Sequence, residues 1–218
     1  MTQEITLRDI QSAKPISFKR EPTSLKVKLA ETKHAIEIPY RQVIAASFNP
    51  DNSTLDVAYL YRKKKADNLT LVKLRGKPQG LGPNLVTEWA ETLMKDVYED
   101  SGVTRSRRLK VLVNPHGGVR KGAAVFVKTV EPIFRAAQCS LDVIYTTHNG
   151  HAFNIAKDLP LVYDAVVTVS GDGLIHEVMN GFAHHINPRK AFKIPIAPIP
   201  TGSGNGLALN LLGIEVSD

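Results

Sequence analysis

Apolar and polar positions alternate through the first hundred residues and then give way to unbroken apolar runs, so the chain changes character near residue 103. Before that point short runs recur at Pro15–Phe18, Leu25–Leu29, His34–Ile38, Val43–Phe48, Leu55–Tyr61 and Leu69–Leu74. Several alternate with period two, the signature of strands with one buried face. Turn-forming residues at Pro50–Ser53 and Lys65–Asn68 separate them, which predicts an antiparallel meander. The meander ends in a different period: Leu85, Trp89, Leu93 and Val97 predict one face of a helix over Pro83–Tyr98.

From Leu109 onward the pattern predicts strands at Leu109–Val113, Ser140–Tyr145, Asp164–Val169 and Ile194–Ile199, with helices near 122–137, 150–158 and 174–185. Near-continuous apolar strands alternating with helices indicate a parallel sheet covered on both faces. Ligands of such sheets bind where loops leave the carboxyl ends of the strands. Ser101–Arg108, small and basic with no apolar period, reads as a linker. The expected organisation is therefore α/β: a β-rich domain closed by one helix over residues 1–103, then a parallel-sheet lobe over 104–218. A small β-barrel closed by a C-terminal helix carrying a buried Trp resembles pleckstrin-homology-like domains.

Composition narrows the class. Of 218 residues 43% are hydrophobic, enough for a packed core. No apolar run approaches the ~20 residues that span a bilayer. Met1–Ile10 lacks the apolar centre of a signal peptide. Cys139 is the only cysteine, which points to a reducing, cytoplasmic setting; ahead of an apolar strand it reads as a core residue, not a nucleophile. The net charge of +7 suits phosphate, nucleotide or an anionic membrane surface. No helix-turn-helix, zinc or RNP-type motif accompanies it, so nucleic acid is not expected. Basic clusters at Arg62–Lys65 and in the linker suit peripheral contact with acidic headgroups, each residue contributing on the order of 1 kcal/mol.

Three loops at predicted strand ends carry the chemistry. The first, Val113–Ala123, places Gly117 and Gly118 after a strand, where bare backbone approaches an anion and the next helix offers free N–H groups. It lacks the Gly-Lys-Ser/Thr ending of a P-loop. The second, Val169–Gly181, delivers Asp172 between Gly171 and Gly173 with Glu177 five residues on. Two carboxylates at an open strand tip suit a general base plus a magnesium or nucleotide contact. The third, Ile199–Ala208, offers Gly202, Ser203 and Gly204 as backbone donors to phosphate oxygens. His148 and His151 have no Cys or carboxylate at ligand spacing, so no resident metal site is expected.

Asn114-Pro-His-Gly-Gly118, Ser170-Gly-Asp-Gly173 followed by Glu177 and Asn180-Gly181, and Pro200–Asn205 resemble the three signature blocks of the diacylglycerol-kinase catalytic superfamily. The Ser before Gly-Asp-Gly and the Gly-Ser-Gly-Asn form are more similar to sphingoid-base (sphingosine) kinases, and the β-rich extension resembles that of fungal members. The resemblance implies ATP- and Mg2+-dependent phosphorylation of a lipid primary hydroxyl, with peripheral membrane association. It implies nucleotide contacts at Asn114, Pro115, His116, Thr146, Thr147, His148, Asn149, Gly150, Glu177, Gly202, Ser203 and Gly204. It assigns Asp172 as catalytic base and Ser170, Gly171, Asp172 and Gly173 to the substrate side. The first block departs from the family, with Val119-Arg-Lys-Gly122 following Gly118 where Lys-Gly is usual, and the family's second, largely β domain, which supplies the lipid pocket, is expected to be absent from this chain. Ceramide, diacylglycerol and, more remotely, NAD are the alternative acceptors; a non-catalytic nucleotide- or membrane-binding role is the other class. Oligomeric state is left open.

Overall fold

Period-two burial builds the first of the two units, Met1–Arg105 and Ser106–Asp218, into which the chain divides in the computed structural model. The structure describes residues 3–32, 34–62, 64, 68–99, 102–117 and 121–213. Lys63, Lys65–Asp67, Ser101, Gly118–Arg120 and Asp218, all named in the motifs above, lie outside these. Seven strands form one antiparallel sheet: β1 (Glu4–Asp9), β2 (Pro15–Arg20), β3 (Ser24–Leu29), β4 (Ile36–Pro39), β5 (Val43–Asn49), β6 (Thr54–Tyr61) and β7 (Thr70–Pro78). Their order is β4-β3-β2-β1-β7-β6-β5. The sequence pattern predicts all but β1, the strand that joins the two halves by pairing with both β2 and β7. Ile5 faces Phe18 and Leu7 faces Ile16, all buried. The charges of Glu4, Arg8 and Asp9 mask that short apolar stripe. Gly76 lets β7 pass close to β1: a Cβ there would lie 2.8 Å from both Arg8 O and Leu7 Cβ.

Helix α1 (Pro83–Tyr98) covers this core. Pro83 sits at the first helical position, where a missing N–H costs nothing. The buried stripe is Val86, Trp89, Ala90, Leu93, Met94 and Val97. Leu85, expected on that face, is 44% exposed. A strict spacing of four rotates about 40° per step, whereas the buried stripe holds its direction by alternating three and four. Trp89 packs its ring on Phe18 and donates from Nε1 to Gln3 O at 3.4 Å.

The second unit alternates β8 (Arg108–Val113), α2 (Gly122–Val125), a π-helical turn (Phe126–Val130), α3 (Glu131–Ala136), β9 (Ser140–Tyr145), α4 (His151–Lys157), β10 (Ala165–Ser170), α5 (Asp172–Ala183), α6 (Pro188–Ala191), β11 (Ile196–Pro200) and α7 (Gly206–Leu212). The four strands are all parallel, in the order β11-β10-β8-β9. Pro132 explains the π turn: it has no N–H for the carbonyl four residues back, and Glu131 N–H reaches Phe126 O instead. Each sheet face buries its own core. Leu112 and Val166 meet Ala152, Ala156, Val178 and Phe182 on one side; Val111, Val113, Val167 and Val169 meet Phe126 and Val130 on the other. Cys139 packs beside the second of these, and burial pushes its thiol up. Lys110, buried on β8, donates to Asp142 Oδ2 on β9 at 3.0 Å, and Tyr163 OH donates to the same oxygen. Among the described residues no helix is long and apolar enough to cross a membrane.

Candidate functional site

The chain leaves β8 toward β9 but leaves β10 toward β11, so the loops after these adjacent strands diverge at the carboxyl end of the sheet. A cavity of about 360 Å3 opens there. It is lined by Asn114 and His116 after β8, Thr146, Thr147, His148 and Asn149 after β9, and Ser170, Gly173, Leu174 and Glu177 after β10. All but Leu174 are residues to which the sequence motifs assign a contact.

Local hydrogen bonds shape these walls. Asn114 N–H donates to Val169 O at 3.0 Å, tying the first loop to the neighbouring strand, and Asn114 Oδ1 accepts from His116 N–H at 2.9 Å. Gly122 allows the next helix to start against this loop, since a Cβ would lie 2.9 Å from Asn114 O. In the second loop Thr146 is buried and donates its N–H to Val113 O at 2.8 Å. Thr147 N–H donates to His151 Nδ1 at 3.2 Å, which leaves the neutral ring's proton on Nε2. His148 stacks on His151 with centroids 4.9 Å apart. Gly150 precedes α4 at φ 82°, a left-handed conformation that suits glycine. Pro115 and Gly150 shape these loops without lining the cavity.

Asp172 has partners that the sequence did not show: Oδ2 accepts from Gly206 N–H at 2.8 Å and Oδ1 from Leu207 N–H at 3.2 Å. These are the first N–H groups of α7, which have no partner within their own helix. Asn205, at the helix entry, does not cap them. It folds back on the third loop, accepting from Gly202 N–H at 3.1 Å and donating to Gly202 O at 2.8 Å. Asp172 thus caps α7 from a distant strand end. The third loop packs backbone to backbone behind it. A Cβ on Gly171 would lie 2.3 Å from Gly204 O, one on Gly202 would lie 2.4 Å from Gly171 N and Cα, and Asp172 N–H donates to Gly204 O at 3.0 Å. Gly171, Asp172, Gly202, Ser203 and Gly204 are therefore a support under the cavity and are not among its lining residues. Glu177 Oε2 accepts from Ala152 N–H at 3.0 Å, joining α5 to the start of α4.

Among the described residues Glu177 is the one carboxylate on the wall; the other polar groups are amides, hydroxyls and imidazoles, most able to donate. That donor set and a volume within the ~300–1,000 Å3 range of small-molecule sites fit a polyanionic ligand such as a nucleotide. Among the described residues no group of three or more His, Cys, Asp or Glu is arranged to hold a metal ion. Magnesium typically binds through one or two carboxylates plus substrate phosphates, and Glu177 keeps lone pairs for that use. The sequence gives no sign of Leu174 as wall, nor of Asn205 and His151 as loop ties; only Asn205, beside a glycine run at a helix entry, is a recognisable turn residue.

Residues 108–217 match the diacylglycerol kinase catalytic domain. Over 179 residues the chain is 33% identical to sphingoid long chain base kinase 4 of Schizosaccharomyces pombe, an alignment covering 82% of this chain and 37% of that protein. Over 116 residues it is 41% identical to sphingosine kinase 2 of Arabidopsis thaliana, covering 53% of this chain and 24% of that one. Human sphingosine kinase 1 is 38% identical over 108 residues, 49% of this chain and 28% of its own. The chain thus spans well under half the length of these relatives. A crystal structure of a diacylglycerol kinase from Bacillus anthracis is 25% identical over 52% of this chain and 37% of its own, with a TM-score of 0.41.

Proposed function

The chain belongs to the diacylglycerol kinase catalytic domain family, and we propose that it forms the nucleotide-binding part of an ATP-dependent kinase for the primary hydroxyl of sphingoid long-chain bases. In this reading residues 104–218 are the nucleotide lobe and residues 1–103 a pleckstrin-homology-like accessory domain, in a protein peripherally associated with membranes. The observation that carries it is the cavity at the diverging loops, where residues from three separate motifs share one donor-rich wall. Asn114, His116 and the Thr146–Asn149 loop bind the nucleotide. Glu177 faces it and carries the contact to Mg2+. Magnesium, bound with the phosphates, supplies charge neutralisation on the transferring group.

Asp172 stands at the tip of β10 as the group that accepts the proton of the lipid hydroxyl, whose oxygen then bonds to the γ-phosphorus as the bond to ADP breaks. The two N–H donors from α7 fix its rotamer, and each carboxylate oxygen keeps a further lone pair for that proton. Positioning and electrostatics do most of the acceleration. The test is a lipid panel of sphingosine, diacylglycerol and ceramide offered with Mg-ATP to this chain continued by the C-terminal remainder of the fission-yeast relative. Phosphate on sphingosine, ahead of the other two, is the expected result. Preference for diacylglycerol or ceramide would reassign the acceptor, and absence of Mg-ATP binding would remove the kinase reading.

A further inference from the structure

The turn between α5 and α6 shows a large aliphatic side chain to solvent without any use in the fold. Ile186 is 97% exposed, and Phe192, just past α6, is 51% exposed. The turn holding Ile186 is tightly built. His185 is buried, with Nε2 3.0 Å from Leu159 O, and its Nδ1 accepts from Asn187 N–H at 2.8 Å. Because Nδ1 accepts, the proton sits on Nε2 and is donated to Leu159 O. Asn187 Oδ1 in turn accepts from Lys190 N–H at 3.3 Å, Pro188 opens α6, and Phe182 supports Phe192 edge-on at 5.9 Å. Ile186 is thus displayed on a fixed knuckle.

Along the sequence its neighbourhood carries one sign of charge, although the exposed Asp158 adjoins Leu159, which His185 contacts. Between Glu177 and Glu215 the chain has no Asp or Glu, while Arg189, Lys190 and Lys193 fall within that interval. All three cations are exposed, and none forms an ion pair among the described residues. We infer that this knuckle is a docking surface for an anionic lipid bilayer: Ile186 and Phe192 enter the headgroup–acyl boundary, and Arg189, Lys190 and Lys193 meet the acidic headgroups. Helix α5 runs its twelve residues, about 18 Å, from Asp172 at the cavity end of the sheet to this turn. The surface is therefore a tether whose occupant leaves the cavity free. The inference deepens the peripheral-membrane part of the proposed function and names the residues responsible, without depending on which lipid is phosphorylated.

The experiment is co-sedimentation of the chain with vesicles of phosphatidylcholine alone or of equal parts phosphatidylcholine and phosphatidylserine, with calorimetric Mg-ATP binding measured on the same preparations. Binding is expected to the phosphatidylserine vesicles, weakened by salt. Ile186→Ser lowers it roughly tenfold, and Arg189→Gln and Lys190→Gln roughly fivefold each. Nucleotide binding stays at the level of the parent chain in all three variants, which also reports that they fold. Vesicle binding that is missing in the parent chain, or unchanged in the variants, overturns the inference. So does concentration-dependent self-association that Ile186→Ser abolishes without any vesicle binding, which gives the surface to a second copy. Loss of nucleotide binding with vesicle binding intact would instead strike the kinase reading and leave this surface standing.

Discussion

At the scale of the residue, Asp172 holds two roles that substitution separates. As the cap of α7 it satisfies two backbone donors; as a base it takes a proton. Asp172→Ala removes both and is expected to destabilise the second unit by about 1 kcal/mol, the usual worth of a cap. Asp172→Asn keeps one side-chain acceptor and costs less. Both variants are expected to lower phosphoryl transfer by roughly 10²–10⁴. Melting temperature and transfer rate, measured on the pair, give the split; an Asn variant that transfers at the parent rate would leave Asp172 as a cap alone. The placement of Asp172 at a strand tip was legible, because a buried apolar run followed by Gly-Asp-Gly fixes where the strand stops. Its partners were not legible. They are backbone N–H groups 34 and 35 residues onward, and a backbone donor has no residue signature.

At the scale of the element, α4 and α5 behave as one piece. Gly181 brings their backbones together, since a Cβ there would lie 2.6 Å from Ala156 Cβ and Phe153 O, and Glu177 staples the α4 entry one turn earlier. The Thr146–Asn149 wall leads directly into that entry. Glu177→Gln preserves an acceptor for Ala152 N–H and is expected to hold the fold, whereas Glu177→Ala costs about 1 kcal/mol; both lose the carboxylate that faces Mg2+ and weaken Mg-ATP binding. Melting curves of both variants check the staple, and equal stability of Gln and Ala would deny it. At the opposite end, β8 and β9 are pinned by Lys110, Asp142 and Tyr163. The Tyr163 hydroxyl, and then Lys110, hold the Asp142 carboxyl below its ordinary 3.8, and the same contact raises the Tyr163 phenol above its ordinary 10.0. A lowered carboxyl stabilises the fold above its unfolded value and loses that contribution as pH falls through the folded one. Melting curves between about pH 2 and 6 should therefore fall less steeply for Asp142→Asn than for the parent. The parallel strands were legible because burial on both faces leaves unbroken apolar runs. β1 was not, because six residues with three charges carry too short an alternation. The π turn was not either, since Pro132 predicts a disturbed helix without saying which disturbance.

At the scale of the whole molecule, the two units have separate cores: one built from residues between Ile5 and Val97, the other two from residues between Leu109 and Ile194. The only tryptophan, Trp89, lies in the first, packed on Phe18. The cavity lies wholly in the second. A ligand stabilises only the cooperative unit that binds it, by about 2.7 kcal/mol when present at a hundred times its dissociation constant. Saturating Mg-ATP is therefore expected to raise the melting transition followed by far-ultraviolet circular dichroism, to which the helices of the second unit contribute most. The transition followed by Trp89 fluorescence should stay where it was. If instead both probes move together, the units unfold as one cooperative body and Trp89 reports the site after all. If neither moves, the cavity at the ends of β8, β9 and β10 does not hold the nucleotide.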